Sequence, residues 1–232
     1  MKETPWTCTS VSWRTPLVEI EQVERSVISI RTAMVLNALS VVGVEAGDRE
    51  SRPIFDQLLG PPIGWWGLDK PFGQGGPSTC SMVAQGLLRR LGVASVEVMG
   101  GYKAGAGLST VRKYAQSIVP NAWVRPLGSV RPKRGDIIDL RPKAGAVDLS
   151  NHSEVVLGFD GDEIVCVAGG QVGVRNLQAI KLVRRRWQEK VGQATSCATA
   201  TGVRVVDGWV DIGLLRYDGR LVVPEGWSRW LV

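Results

Sequence analysis

Asn151-His152-Ser153-Glu154-Val155-Val156-Leu157-Gly158-Phe159-Asp160-Gly161-Asp162-Glu163-Ile164-Val165-Cys166-Val167-Ala168 is the stretch that decides the fold of the second half of the chain. Two β-type runs, rich in branched residues, flank Asp160-Gly161, and Asp-Gly between such runs is a strong short-range hairpin signal. The spacing predicts strands over 153–159 and 162–168 that pair directly. Downstream of Pro120, further short runs at 122–126, 136–140 and 179–183 are set off by turn residues, and 203–206 and 209–215 can add strands before the tail.

Upstream the pattern is helical. From Ile20, apolar residues recur at Val23, Val27, Ile30, Met34, Ala38 and Val41, the three-four spacing of one helical stripe about six turns long. A shorter helix is predicted over 53–59, with Pro53 in its tolerated first turn. The segment 60–77 holds too much glycine and proline for regular structure. Ser78 or Thr79 can then cap a helix that opens at Cys80, carries Val83, Leu87 and Leu91 on one face and closes at Gly92. Residues 93–99 alternate weakly like a strand, and Ser109 can cap a helix with Val111, Ala115 and Ile118 facing inward. Helices first and a meander of strands afterwards is an α+β pattern, with N-terminal helices packed on a small antiparallel sheet.

Composition fits a single domain over 1–232, with 1–18 as a loosely attached N-terminal segment. The 232 residues are 44% apolar and 22% charged, enough to bury a core without disulfide staples. The longest apolar stretch, 34–46, is well short of the ~20 residues that span a bilayer and reads as a core helix. The first residues show no basic start followed by an apolar run, so a leaderless chain with no membrane partner is expected. A net charge of +6 suits an acidic partner, whether nucleic acid, a membrane surface or an anionic wall polymer. No nucleic-acid motif accompanies it, so no nucleic-acid partner is expected and a solvated basic surface is the plainer account. Cysteines at 8, 80, 166 and 197 are too widely spaced for a zinc knuckle, and one histidine gives no ligand cluster. No metal or other cofactor is expected, and Cys8, Cys166 and Cys197 read as reduced, small apolar filler.

Chemistry concentrates on three residues. Cys80 falls in the first turn of its helix, where unpaired amides and the helix dipole favour thiolate over thiol. It shares a face with Val83, Ala84 and Leu87, as a buried structural cysteine also would. His152, the single histidine, stands where the loop 143–151 enters the first hairpin strand, in position to act as the base such a nucleophile needs. A polar strand end is the alternative. With the turn centred on Asp160-Gly161, paired residue numbers sum to about 321. That sets His152 across from Gly169 and brings Gln171 within reach as the group that orients the imidazole.

Four features in order carry a family resemblance. Ser78-Thr79-Cys80-Ser81-Met82-Val83 leading into Leu87-Leu88-Arg89-Arg90-Leu91-Gly92, Pro132-Lys133-Arg134-Gly135-Asp136-Ile137-Ile138, Asn151-His152-Ser153-Glu154-Val155-Val156 with its Asp160-Gly161 turn, and Ala168-Gly169-Gly170-Gln171 together resemble the papain-like cell-wall hydrolases of bacteria and phages. Those are the CHAP amidase and NlpC-type endopeptidase groups, and the match covers about 35–185. The chain departs from them at Thr79, where tryptophan or aspartate is common, and at Gln171, where His, Asn or Glu is more usual. The resemblance implies a papain-like core over 35–185 and a cysteine hydrolase of peptidoglycan, phage- or toxin-associated. In it Cys80 attacks an amide carbonyl, His152 moves the proton, Gln171 orients it and the Cys80 N–H stabilises the oxyanion. Trp65, Trp66 and Phe72 would form an aromatic wall for the substrate, although large aromatics also pin long loops to a core. Phage virion components are further candidate partners. A non-enzymatic virion or assembly protein that keeps the fold as a scaffold, and an intracellular cysteine amidase or acyltransferase, are the alternatives.

Overall fold

The computed structural model of the chain describes residues 17–20, 29–59, 68, 71, 79–93, 120–127, 129–142, 151–189, 195–199, 202–215, 217 and 221–224. Its elements are strand β1 (Leu17–Ile20), helices α1 (Ile30–Ser40), α2 (Arg52–Leu59) and α3 (Cys80–Arg90), and then strands β2 (Trp123–Val124), β3 (Ile137–Pro142), β4 (His152–Asp160), β5 (Glu163–Val172), β6 (Gln178–Gln188), β7 (Ser196–Thr199), β8 (Gly202–Val210) and β9 (Leu221–Pro224).

The second half is not an open sheet under helices. Strands run in the order β8-β3-β4-β5-β6-β7, every neighbouring pair antiparallel, and β7 pairs back onto β8. This closes a six-stranded barrel, with β2 added outside it along β8. The expected α+β arrangement, papain-like helices over a small antiparallel sheet, is therefore overturned by barrel closure. Closure depends on β7, whose Ser196-Cys197-Ala198-Thr199 is too poor in branched and aromatic residues to announce a strand. Once β6 and β8 stand on either side, those four residues complete the ring of described strands, each paired on both sides within it.

Closure divides the apolar residues between two cores. Ile138, Leu140, Val156, Ile164, Cys166, Trp187, Cys197, Val206 and Trp209 form one buried cluster to which all six barrel strands contribute, so it is the barrel interior. The alternate residues Ile137, Val155, Val167, Ile180 and Val210 face outward and pack with α1, α2 and α3 in the second. Both faces of β4 are buried from His152 to Val156. A strand buried on both faces does not alternate polar with apolar, which conceals its second buried face from a pattern reading.

Several local expectations also change. The helix predicted from Ile20 starts at Ile30, because Ile20 lies in β1, paired antiparallel with β9. The runs 203–206 and 209–215 are not two strands: the first and Trp209–Val210 of the second belong to one strand, β8, bulged near Asp207, and 212–214 form a 3-10 turn. In the run 122–126 only Trp123–Val124 pairs. Val93 makes an isolated bridge to Tyr217; the rest of 93–99 and the helix expected after Ser109 lie outside the described residues.

The Gly135-Asp136 signature is a clamp. One Asp136 oxygen accepts from Lys133 N at 2.7 Å and closes the turn, and the other takes Arg31 Nη1 at 2.5 Å. Arg31 also donates to Asp211 after β8 and to the Arg134 carbonyl. The start of β3 is thereby tied to α1 and to the end of β8, on the side of the barrel wall that α1 covers.

Candidate functional site

Where α3 meets β4 and β5, the barrel rim gathers a reactive set. Cys80 is the first residue of α3 and His152 the first of β4. The Cys80 side chain is hydrogen-bonded to the His152 ring, and its Sγ lies 3.8 Å from the carbonyl oxygen of Asn151. The pair is nearly enclosed, Cys80 being 3% and His152 6% exposed.

Strand alternation sets the rest. Residues i and i+2 share a face, so Glu154 stands beside His152, with Oε1 at 3.1 Å from Nε2. Glu154 is fully enclosed and accepts a forked pair from Arg185 on β6, Nε lying 3.0 and 3.1 Å from its two oxygens and Nη2 also donating. The order thiol, imidazole, carboxylate, guanidinium thus runs from the helix start into the barrel. Glu154 is a site residue that the sequence reading missed. Its signal was present: a carboxylate two positions after a strand histidine must face the same way.

Charge follows from this order. Burial lowers the pKa of His152, but the negative charge of Cys80 and the hydrogen bond to it, with Glu154 behind, outweigh burial and raise it to about 10. Burial likewise pushes the Glu154 carboxyl up, yet the hydrogen bond from His152 and the charges of Arg185 and His152 bring it down to about 2. Burial works against the Arg185 cation, but Glu154 holds its pKa above the ordinary value. The arrangement stabilises an imidazolium and a carboxylate side by side at neutral pH.

Gln171 is brought to the same ring, its Nε2 at 3.2 Å from His152 Nε2 and at 3.2 Å from the Gly169 carbonyl oxygen. The expected register does not deliver it. Paired numbers sum to 322 from Glu154↔Ala168 to Val156↔Cys166 and to 323 beyond a bulge at Leu157, so the predicted sum of 321 is overturned. A second bulge corrects the side: β5 takes three steps from Ala168 to Gln171 while β6 takes two from Lys181 to Ala179. Gly170, at φ 63, supplies the left-handed residue that this extra step requires. Because Glu154 takes the Nε2 proton, Gln171, whose amide N–H donates to the Gly169 carbonyl oxygen, stands against the ring without claiming that proton. Nδ1 is then the ring nitrogen left for the thiol.

Thr79 precedes the helix but is not its side-chain cap, contrary to expectation. Its hydroxyl donates to Gln178 Oε1 at 2.7 Å and accepts from Gly170 N at 2.9 Å, and its N–H donates to the same Gln178 oxygen at 3.1 Å. The hydroxyl ties the helix to the barrel and leaves the first-turn amides unclaimed by it.

Cys166 and Cys197 are free thiols inside the barrel. Burial first, and the Glu154 charge after it, raise both, Cys197 to about 12 and Cys166 well above the ordinary thiol range. Trp65, Trp66, Phe72 and Cys8 lie outside the described residues, as does the loop 143–150. Among the described residues no group of three or more His, Cys, Asp or Glu side chains is arranged to hold a metal ion, and no helix is long and apolar enough to cross a membrane. No family model matches the chain, and neither a curated protein nor a solved structure matches it.

Proposed function

We propose that the chain is a cysteine hydrolase that cleaves a peptide or amide bond of bacterial peptidoglycan, with Cys80 as nucleophile and His152 as acid and base. One observation carries the reading: a thiol at a helix start is hydrogen-bonded to an imidazole whose other side is held by a buried carboxylate. The Cys80 sulfur attacks the carbonyl carbon, and the imidazolium passes its proton to the nitrogen as the C–N bond breaks. Water, giving a proton to the neutral imidazole, then attacks the thioester, the C–S bond breaks, and acid and thiol are restored. Glu154 keeps the ring in the tautomer this exchange needs, with Gln171 beside it. The Cys80 N–H, at the start of α3, faces the developing oxyanion.

The substrate class rests on the ordered motifs and on a net charge of +6 that suits an anionic wall. In this reading the protein is phage- or toxin-associated and reaches the wall after release, by injection or within a virion. Zymography on purified wall tests it: wild type clears the substrate, and clearing by Cys80→Ala as well removes the mechanism. Mass spectrometry of the released fragments assigns amidase or endopeptidase.

A second reading has its own observation, the near-complete enclosure of the pair. A virion or assembly protein that keeps the site only as structure would show slow labelling of every thiol. Selective alkylation of Cys80 near pH 6 sinks that reading.

A further inference from the structure

Resting on the hydrolase reading, we infer that Thr79 and Gln178 are positioning residues that set the distance between the Cys80 sulfur and the His152 ring. Thr79 is fully buried and Gln178 nearly so. The polarity of their bonds is fixed. Thr79 N–H can only donate, so the Gln178 atom it meets is the oxygen; the Thr79 hydroxyl has one proton and gives it to that oxygen; Gly170 N–H must then donate to the hydroxyl. No other assignment satisfies all three contacts.

These bonds join the residue before the nucleophile to two points of one hairpin. Gly170 belongs to the β5 bulge that brings Gln171 to the imidazole, and Gln178 opens β6, the strand that carries Arg185. Gly169, in the same bulge, lies so close to α3 that a Cβ there would stand 2.6 Å from Val83 Cγ2 and 3.1 Å from the Thr79 carbonyl oxygen. Contact and hydrogen bonds act together: glycine lets the helix start approach the bulge, and Thr79 fixes where along the bulge it stops. The sulfur is carried by the helix, while the imidazole is held by the barrel through Glu154, so the Thr79 to Gln178 link is the brace between the two halves of the pair. Another polar tie from α3 to the histidine strand is the longer Ser81–Ser153 hydroxyl contact at 3.3 Å, and thiol–imidazole proton sharing is sensitive to fractions of an ångström.

The test is the alkylation rate of Cys80 by iodoacetamide in the full chain, followed from pH 5 to pH 10, with unfolding midpoints measured in parallel. Thr79→Val removes the hydroxyl at constant shape, Thr79→Ser restores it, and Gln178→Met removes the acceptor from the other side. Expected is a rate near pH 6 that falls about 10- to 100-fold in Thr79→Val and Gln178→Met, the scale on which small misplacements act, with the fully alkaline rate unchanged and Thr79→Ser within about threefold of wild type. A loss of folding stability alone does not move the ratio of the two rates. If Thr79→Val does not fold, Gln178→Met decides by the same ratio. A ratio like that of wild type in a folded variant overturns the positioning role while leaving the hydrolase reading intact. A wild-type Cys80 already slow near pH 6 overturns both.

Discussion

Two kinds of cysteine lie within one strand's reach of Glu154, and burial does not tell them apart. Cys80 at the rim is 3% exposed and Cys166 inside the barrel 0%. Their neighbours differ. Cys80 has the His152 ring beside it and stands at the start of a helix; Cys166 donates to the Glu154 carboxylate, and Cys197 shares the same enclosed space. A thiolate gains from an adjacent imidazolium and loses from an adjacent carboxylate. Glu154 thus acts in opposite senses along one face of β4: through His152 it supports charge separation at the rim, and directly it keeps the interior thiols protonated.

The largest effect should come from the thiol itself. Cys80→Ala should reduce wall clearing by roughly 10⁴-fold or more, to the level of untreated wall, whereas Cys166→Ala or Cys197→Ala in the barrel should act through stability. Alkylation near pH 6 should label Cys80 well ahead of Cys166 and Cys197, and labelling of an interior thiol at a similar rate would break the comparison. Next in size, His152→Ala should cost about 10²–10⁴-fold in kcat/KM, read by release of soluble wall fragments.

Glu154→Gln tests whether one carboxylate serves both sides. It removes the anion from a buried pair and leaves Arg185 uncompensated, at a cost of about 3–5 kcal/mol in urea unfolding. Activity should fall at least tenfold as the ring loses its orienting partner. The pH dependence is separable. His152 is raised in the fold, so its contribution to stability is complete below its ordinary value of 6.5 and is lost as pH rises through about 10. Glu154 is lowered, so its contribution is complete above 4.5 and is lost as pH falls through about 2. Together they predict a stability plateau between those ordinary values. In Glu154→Gln the acid limb should vanish and the alkaline limb, still starting near 6.5, should be smaller and end at lower pH, and retention of both limbs would assign them to other groups.

What could be read in the chain beforehand was the local and the directional. Asp160-Gly161 gave the β4–β5 hairpin, and the apolar stripe from Cys80 gave α3. Barrel closure was not legible, because it rests on the pairing of β7 with β8 and β7 consists of Ser, Cys, Ala and Thr. Nor were the bulges: each moves the register by one residue, and a single-residue shift turns a side chain to the other face. His152 was set across from Gly169 by a register one residue short, and Gln171 still reaches the ring, because the bulge at Gly169-Gly170 compensates. Glu154 needs no three-dimensional information beyond the period of a strand, since it lies two residues along β4 from the histidine, whereas Gln171 lies across the hairpin.

The smallest effect separates those two claimants to the same ring nitrogen. His152 Nε2 carries one proton; the Glu154 carboxylate stands 3.1 Å from that nitrogen and the Gln171 amide 3.2 Å. A hydrogen bond to a carboxylate is roughly twice as strong as one to a neutral oxygen, so Glu154 takes the proton and Gln171 buttresses the ring from its flank. Removing the buttress should cost the net value of one neutral hydrogen bond, about 1 kcal/mol, which is about fivefold in rate. Gln171→Ala should therefore lower kcat about fivefold and leave the pH limits of stability where they were, since neither charge is altered. A loss as large as that of Glu154→Gln, with the alkaline limb displaced, would return the orienting role to the glutamine and make the carboxylate a structural partner of Arg185.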